Sequence, residues 1–187
     1  ILAIWPHPDD IELWCFWTMC RYASEWNDVN FLVLTKWEWA SDWKDRSKEA
    51  IQSSKLLNCN LFQENLKDKY ISEWVETINI IEKYIKEINP DIVFIPSKYD
   101  THQDHRAVHL ASVVATRLVD TIYIYQSPST TIDFKPNVYI DITEYNLYLW
   151  IEKRFWTHLQ SVLYQNWKVQ KHNIRNTRYL IYYRMCT

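Results

Sequence analysis

Two short segments of the sequence concentrate side chains that can bind a metal ion. The first is Pro6-His7-Pro8-Asp9-Asp10, and the second is Asp100-Thr101-His102-Gln103-Asp104-His105. Two imidazoles and a carboxylate can hold Zn²⁺ and leave one coordination position open to water. Such a water has a pKa of about 7, so it is a nucleophile at neutral pH, and a neighbouring carboxylate can take its proton. Together the two segments predict a hydrolytic zinc centre.

Each segment follows a short apolar run that is typical of a buried strand. Residues 1–4 precede the first segment, and residues 91–95 precede the second. Strands that alternate with helices along a chain indicate βαβ units, and these build a mostly parallel sheet with helices on both faces. Ligands of such folds bind beyond the carboxyl ends of the strands. We therefore expect a Rossmann-like α/β fold in which the two segments meet at one edge of the sheet.

The predicted strands and helices follow one another without a linker, a repeat or a low-complexity tract. The predicted strands cover residues 1–4, 29–34, 91–95, 121–125, 138–142 and 179–183. The predicted helices cover residues 9–25, 43–57, 72–88, 104–118 and 144–161. A chain of 187 residues has the usual size of one domain, so we predict a single domain over residues 1–187.

Composition argues against several classes of protein. The chain has 21 basic and 23 acidic side chains and a net charge of −2, which does not favour a nucleic-acid partner. Its four cysteines form no Cys-x-x-Cys pair, so we expect reduced thiols. No apolar run reaches the ~18 residues of a membrane span, and no basic leader precedes the first apolar run. We expect a cytoplasmic protein with a small-molecule partner, and assembly into a homo-oligomer stays open.

The residues of both segments also resemble those of a known family. Pro-His-Pro-Asp-Asp-Ile-Glu-Leu at 6–13, together with Asp-Thr-His-Gln-Asp-His-Arg-Ala at 100–107, resembles the LmbE/PIG-L family of zinc-dependent N-deacetylases. The resemblance continues over residues 33–35, 46–50, 90–93 and 139–143. It implies hydrolysis of an acetamido group, commonly on an N-acetylglucosamine unit. The expected substrate is therefore an N-acetylated sugar or a sugar conjugate.

The same resemblance implies roles for individual residues. The implied zinc ligands are His7, Asp10 and His105. His109 follows His105 by one helical turn and could compete with it as a ligand. The remaining implied residues are Asp9 as general base, His102 as oxyanion stabiliser or proton donor to the leaving amine, Asp104 as the carboxylate that orients a histidine, and Arg46 as a substrate-binding cation.

Tryptophan stands where this family usually has glycine. The sequence has no glycine and 11 tryptophans, whereas average usage predicts about 13 glycines. The positions indicated by the family or by turn geometry are Trp5, Trp14, Trp17, Trp26, Trp37 and Trp39. A side chain in a backbone conformation that favours glycine costs about 1–3 kcal/mol. We interpret the sequence as a glycine-to-tryptophan altered version of a natural enzyme, changed either in the molecule or in the written sequence. The alternative is an unusual natural chain that is rich in tryptophan.

Two other functions fit parts of the sequence. One is a Rossmann-like binder of nucleotides or sugar nucleotides, in which the acidic loops only cap helices. The sequence contains no Gly-x-Gly-x-x-Gly, which argues against it. The other is a catalytically inactive carbohydrate-binding relative whose tryptophans block the crevice. Metal analysis tests the first of these alternatives, and release of a free amine tests the second.

Overall fold

The computed structural model describes residues 1–36, 47–146 and 180–185 of the chain. The strands in these ranges are β1 (Leu2–Trp5), β2 (Asn30–Thr35), β3 (Asn60–Leu66), β4 (Ile92–Ile95), β5 (Thr121–Tyr125), β6 (Val138–Asp141) and β7 (Leu180–Met185). The helices are α1 (Asp10–Trp14), α2 (Phe16–Ser24), α3 (Ser47–Leu56), α4 (Val75–Ile88), α5 (Gln103–Ala115) and α6 (Thr143–Asn146).

The seven strands form one sheet in the order β3-β2-β1-β4-β5-β7-β6. The first five strands of this order pair in parallel. Strand β7 is antiparallel to both β5 and β6. Because the chain moves outward from β1 to β3 and then returns to place β4 on the other side of β1, the strand order reverses between β1 and β4. Ligand crevices of α/β folds form at such a reversal.

Strand β1 is buried on both faces, which explains why its sequence is a continuous apolar run. Ile4 belongs to a core that includes Ile81 of α4 and Val108 of α5. Trp5 belongs to a second core that includes Met19 of α2. The helices therefore cover both faces of the sheet. The predicted α/β fold, a mostly parallel sheet between helices, is confirmed.

Two elements differ from the sequence prediction. Strand β3 was not predicted, because its sequence Asn-Leu-Phe-Gln-Glu-Asn-Leu contains four polar residues and lies half-exposed beside β2. The predicted helix over residues 9–25 is two helices, separated at Cys15, whose φ of −129° and ψ of 0° are not helical. Residues 43–46 and 147–161 of two other predicted helices lie outside the described residues. Among the helices that the structure describes, none is both long and apolar enough to cross a bilayer.

The tryptophans at predicted glycine positions have different backbone conformations. Trp26 has a φ of 64° and a side chain that is 96% exposed, so it occupies the left-handed region that favours glycine. Trp5, Trp14 and Trp17 do not have positive φ. Trp5 is instead buried, with its ring stacked on that of Tyr125 at a centroid distance of 3.6 Å. Trp37 and Trp39 lie outside the described residues.

Candidate active site

The two segments that contain the candidate metal ligands meet at the carboxyl ends of β1 and β4. The His7 ring centroid lies 4.8 Å from that of His102 and 5.6 Å from that of His105. The three imidazoles can each offer one nitrogen such that these atoms all lie within 4.8 Å of one another. The predicted convergence of segments about 95 residues apart is therefore present, and it follows from the parallel arrangement of the strands.

Backbone hydrogen bonds fix the first segment next to β2. Thr35, the last residue of β2, donates its backbone N–H and its hydroxyl to the carbonyl of Pro6 at 3.0 and 2.9 Å. The N–H of His7 donates to Asp10 Oδ2 at 3.0 Å. Proline at positions 6 and 8 restricts φ on either side of His7. The His7 imidazole is thus presented from a short, constrained turn.

The second segment begins α5. His102 is the N-cap residue of α5, and its Nδ1 accepts a hydrogen bond from the N–H of Asp104 at 3.2 Å. The carboxylate of Asp100 accepts the N–H of His102 at 2.8 Å through Oδ1 and contacts His105 Nδ1 at 2.9 Å through Oδ2. Arg106 donates to the carbonyl of Asp100 at 2.8 Å. His102 and His105 are therefore held one turn apart on the same side of the helix start.

Asp10 connects the two segments. Its Oδ2 lies 3.2 Å from His7 Nδ1, and its Oδ1 lies 3.3 Å from His105 Nε2. Burial would raise the pKa of Asp10, but the charge and hydrogen bond of His105 and those of His7 hold it well below its ordinary value. Burial would lower the pKa of His105, but the charge of Asp10 and the hydrogen bonds to Asp10 and Asp100 raise it to about 9.

The other nitrogen of His7 faces two further carboxylates. His7 Nε2 lies 3.1 Å from Asp104 Oδ2 and 3.1 Å from Asp68 Oδ1. Burial would lower the pKa of His7, but its hydrogen bonds to Asp10, Asp104 and Asp68 raise it well above the ordinary value. The hydrogen bond to His7 lowers the pKa of Asp68. The N–H of Lys69 donates to Asp104 Oδ2 at 2.7 Å, which ties the β3–α4 loop to this carboxylate.

These side chains fit a divalent metal ion such as zinc. Imidazole nitrogens and carboxylate oxygens are its usual protein ligands. Two buried carboxylate oxygens of the cluster, Asp68 Oδ2 and Asp104 Oδ1, have no hydrogen-bond partner, so the cluster has unused acceptors for a cation. The neighbouring carboxylates raise the pKa values of His7 and His105, so in the metal-free site an ion would compete with protons for these imidazoles. The groups whose single ligand atoms all lie within 4.8 Å are His7-His102-His105 and His7-Asp68-Asp104.

The set of ligands implied by the resemblance, His7, Asp10 and His105, stays a prediction. The structure places all three in contact, but it also places His102, Asp68 and Asp104 around His7. His109 belongs to neither close group among the described residues. Its Nδ1 contacts the carbonyl of Pro96 at 2.9 Å, and burial lowers its pKa. His109 therefore resembles a packed histidine more than a ligand.

The three predicted catalytic residues, Asp9, His102 and Asp104, lie in the same region. Asp9 is buried and precedes α1 as its N-cap residue, without a side-chain hydrogen bond to the helix N-terminus. His102 is half-buried. Burial and the positive charges of His7 and His105 lower its pKa. Arg46 lies outside the described residues, so its role as a substrate-binding cation stays a prediction.

Sequence reasoning missed Asp68 and Asp100. Asp68 follows β3, a strand that the sequence did not reveal, so nothing marked it as a neighbour of the first segment. Asp100 was within the second segment, but no role was given to it because its contact with His105 depends on how the loop before α5 folds. Its position five residues before His105 was the only available signal.

This chain is similar in sequence and in fold to known proteins. Residues 2–116 match the family described as PIG-L: GlcNAc-PI de-N-acetylase. The Escherichia coli (strain K12) protein described as "Uncharacterized deacetylase YaiS" is 36% identical over 152 residues, which are 77% of this chain and 82% of that protein. These two findings show the family.

Solved structures agree on the fold. The conserved protein TT1542 from Thermus thermophilus has a TM-score of 0.81 at 22% identity, and the match covers 100% of this chain and 94% of that protein. The N,N'-diacetylchitobiose deacetylase from Pyrococcus horikoshii has a TM-score of 0.77 at 20% identity, with 99% and 82% covered. Sequence and fold lead to the same conclusion: the chain belongs to the PIG-L family of deacetylases.

Proposed function

We propose that the chain is a zinc-dependent hydrolase that removes the N-acetyl group from an N-acetylglucosamine-type sugar or sugar conjugate. The observation that carries the proposal is the buried cluster of imidazoles and carboxylates at the carboxyl ends of β1 and β4. The names of the family and of the chitobiose deacetylase point to acetylated amino sugars as the substrate class. The single domain over residues 1–187 and the cytoplasmic location stay predictions.

His7, Asp10 and His105 are the proposed zinc ligands. Asp10 contacts His7 through one oxygen and His105 through the other, so it links the two proposed histidine ligands. Zinc bound there supplies a Lewis acid and lowers the pKa of a bound water. Asp104 contacts His7 Nε2 and is itself held by the N–H of Lys69, which suits the role of orienting a histidine.

Asp9 is the proposed general base. It is buried beside Asp10 in the first segment, at the residue that precedes α1. A carboxylate next to the attacking water can accept the proton that the water loses when it adds to the acetamide carbonyl. This step leaves a tetrahedral oxyanion, which needs a hydrogen-bond donor.

His102 is the proposed donor to that oxyanion. Its Nδ1 already accepts the N–H of Asp104, so a neutral ring carries its hydrogen on Nε2. Burial lowers its pKa, which favours the neutral ring at physiological pH. In the metal-free site the positive charges of His7 and His105 lower it further, and zinc bound to these two residues would supply positive charge in their place. The Nε2–H can donate to the oxyanion while the ring stays neutral, and the proton that Asp9 accepts from the water is the one that passes to the leaving amine. Arg46 is the proposed substrate-binding cation.

Metal analysis followed by an amine-release assay tests this proposal. The purified chain should contain close to one zinc per molecule and release amine from N-acetylglucosamine or N,N'-diacetylchitobiose. Asp9→Asn should keep the zinc and lose the activity. A chain that lacks zinc affinity favours the nucleotide-binding alternative. A chain that binds zinc and these sugars but releases no amine is the inactive carbohydrate-binding relative.

A further inference from the structure

We propose that Asp100 is a positioning residue for His105 and that Ser127, which follows β5, positions Asp100 in turn. This inference rests on the proposed function, because it concerns how one proposed metal ligand is held. It adds a third strand end to a site that the sequence assigned to the ends of β1 and β4 alone. The chemical class of the bound species is a divalent cation.

Asp100 is buried and both of its carboxylate oxygens are engaged. Oδ2 contacts His105 Nδ1 at 2.9 Å and accepts the hydroxyl hydrogen of Ser127. Oδ1 accepts the N–H of His102 at 2.8 Å. Since Nδ1 of His105 is engaged by Asp100, its Nε2 is the nitrogen that faces Asp10, at 3.3 Å. The contact with Asp100 therefore determines which nitrogen of His105 is available to an ion.

Ser127 is itself fixed by its own loop. Its N–H donates to Thr130 Oγ1 at 2.9 Å, and its hydroxyl lies 3.1 Å from that of Ser129. The carbonyl of Ser129 accepts the N–H of Thr101 at 2.9 Å, which joins this loop to the second segment. Ser127 is 3% exposed. The hydroxyl also lies 2.9 Å from Thr130 Oγ1. With Asp100, Ser129 and Thr130 all at hydrogen-bond distance, the buried hydroxyl has little freedom, so it fixes the orientation of the Asp100 carboxylate.

The two proposed histidine ligands thus have separate carboxylate partners. Asp104, to which the resemblance gives the histidine-orienting role, contacts His7. Asp100 contacts His105. A carboxylate hydrogen-bonded to the distal nitrogen of a ligating histidine fixes its tautomer and increases its basicity, and its loss typically reduces metal affinity by about 10–100-fold. His105 thus has a carboxylate at each ring nitrogen, Asp100 at Nδ1 and Asp10 at Nε2.

Zinc affinity measured on the full chain tests the inference without an activity assay. We expect Asp100→Asn to bind zinc about 10–100-fold more weakly in competition with a chromophoric chelator. Ser127→Ala should show a smaller loss, because Asp100 keeps its charge and its contact with His105. The matched control is Ser112→Ala, which removes a buried α5 hydroxyl that has no hydrogen-bond partner and should leave zinc affinity unchanged. The visible spectrum of the cobalt-substituted protein should change in the first two variants only.

Each outcome of this experiment has a definite meaning. Wild-type zinc affinity and an unchanged cobalt spectrum in Asp100→Asn would overturn the inference while leaving the proposed function intact. If that variant does not fold, Ser127→Ala decides, and equality with the Ser112→Ala control overturns the inference. A wild-type chain that binds no zinc contradicts the proposed function and, with it, the positioning role.

Discussion

The two edges of the parallel sheet contain different kinds of residue. At the carboxyl ends of β1 and β4 lie the buried ionisable side chains His7, Asp9, Asp10, Asp100, Asp104 and His105. At the amino ends of β2, β3 and β4, the preceding turns contain Trp26, Asn58 and Asn89, with φ of 64°, 49° and 47°. The fourth described residue with positive φ, Lys69 at 66°, follows β3 at the carboxyl edge, where its N–H donates to Asp104. The first edge therefore concentrates charge, and the second has three of the four left-handed residues that the structure describes.

This difference suggests separate roles for the two edges, with function at the carboxyl edge and fold stability at the amino edge. Burying a charge destabilises a fold unless the charge is paired, so a cluster of buried carboxylates and imidazoles needs a functional reason. A left-handed residue that ends a helix serves only to turn the chain into the next strand. We therefore expect substitutions at the carboxyl edge to change metal binding and activity, and substitutions at the amino edge to change stability alone.

The largest effect should follow removal of a proposed ligand. His105→Ala should lose stoichiometric zinc and all measurable amine release, because it removes the imidazole that contacts Asp10 at 3.3 Å. The control is His109→Ala, one helical turn away, whose Nδ1 contacts the Pro96 carbonyl rather than a carboxylate of the cluster. Metal content of the purified variants checks this prediction. If His105→Ala retained zinc, His105 would not be a ligand. If His109→Ala lost zinc, His109 would be one.

Loss of the proposed base should separate binding from catalysis. Asp9→Asn keeps the shape of the side chain but cannot accept a proton, so amine release should fall by about 10²–10⁴-fold. Zinc content should remain that of the wild type, since Asp9 is not among the proposed ligands. Full activity in this variant would show that another group accepts the proton.

Stability of the metal-free protein should depend on pH through the carboxyl edge. His105 has a pKa raised from 6.5 to about 9, so its contribution is fully present below pH 6.5 and is lost as pH rises through 9. The difference corresponds to about 3 kcal/mol of unfolding free energy. The raised pKa of His7 acts in the same direction.

Urea unfolding in the presence of a chelator, at pH 6 and above pH 9, measures this change. Saturating zinc serves as the control, because an ion replaces the protons on the imidazoles and should remove the loss at high pH. The unfolding free energy should also decline at acid pH because of Asp100. Its pKa is lowered to about 2, so the stability that its charged form contributes is lost only as the pH falls through that value. Equal unfolding free energies at both pH values would contradict the paired state of His105.

Sequence patterns predicted an element correctly where only one kind of structure explains the pattern. The run at residues 1–4 predicted β1 because a strand buried on both faces is apolar throughout. The two segments were placed at one edge because parallel strands share their carboxyl ends. Strand β3 was not predicted, because its half-polar sequence is stabilised by pairing with β2 and sequence patterns do not reveal pairing. Asp68 was missed for the same reason, since it follows that strand.

The antiparallel insertion of β7 between β5 and β6 was also outside the reach of local patterns. Residues 179–183 were predicted as a late strand, and the structure has it at Leu180–Met185. Its neighbours come from much earlier in the chain, so periodicity predicts the strand but not its partners. The role of Asp100 was similarly hidden, because it requires Ser127 from the end of another strand.

The smallest effect should come from the amino edge, at Trp26. Asparagine, which tolerates the left-handed region, occupies the corresponding turns at Asn58 and Asn89, whereas tryptophan does not tolerate it well. Trp26→Gly removes a side chain that is 96% exposed, so little packing is lost, and it should raise the unfolding free energy by about 1 kcal/mol. Trp26→Ala is the control, because it removes the ring but keeps the Cβ that the left-handed region disfavours. Thermal unfolding should rank glycine above alanine, with amine release unchanged in both. A change in activity would mean that this turn communicates with the carboxyl edge, whereas a stabilised protein of unchanged activity would show that the two edges act independently.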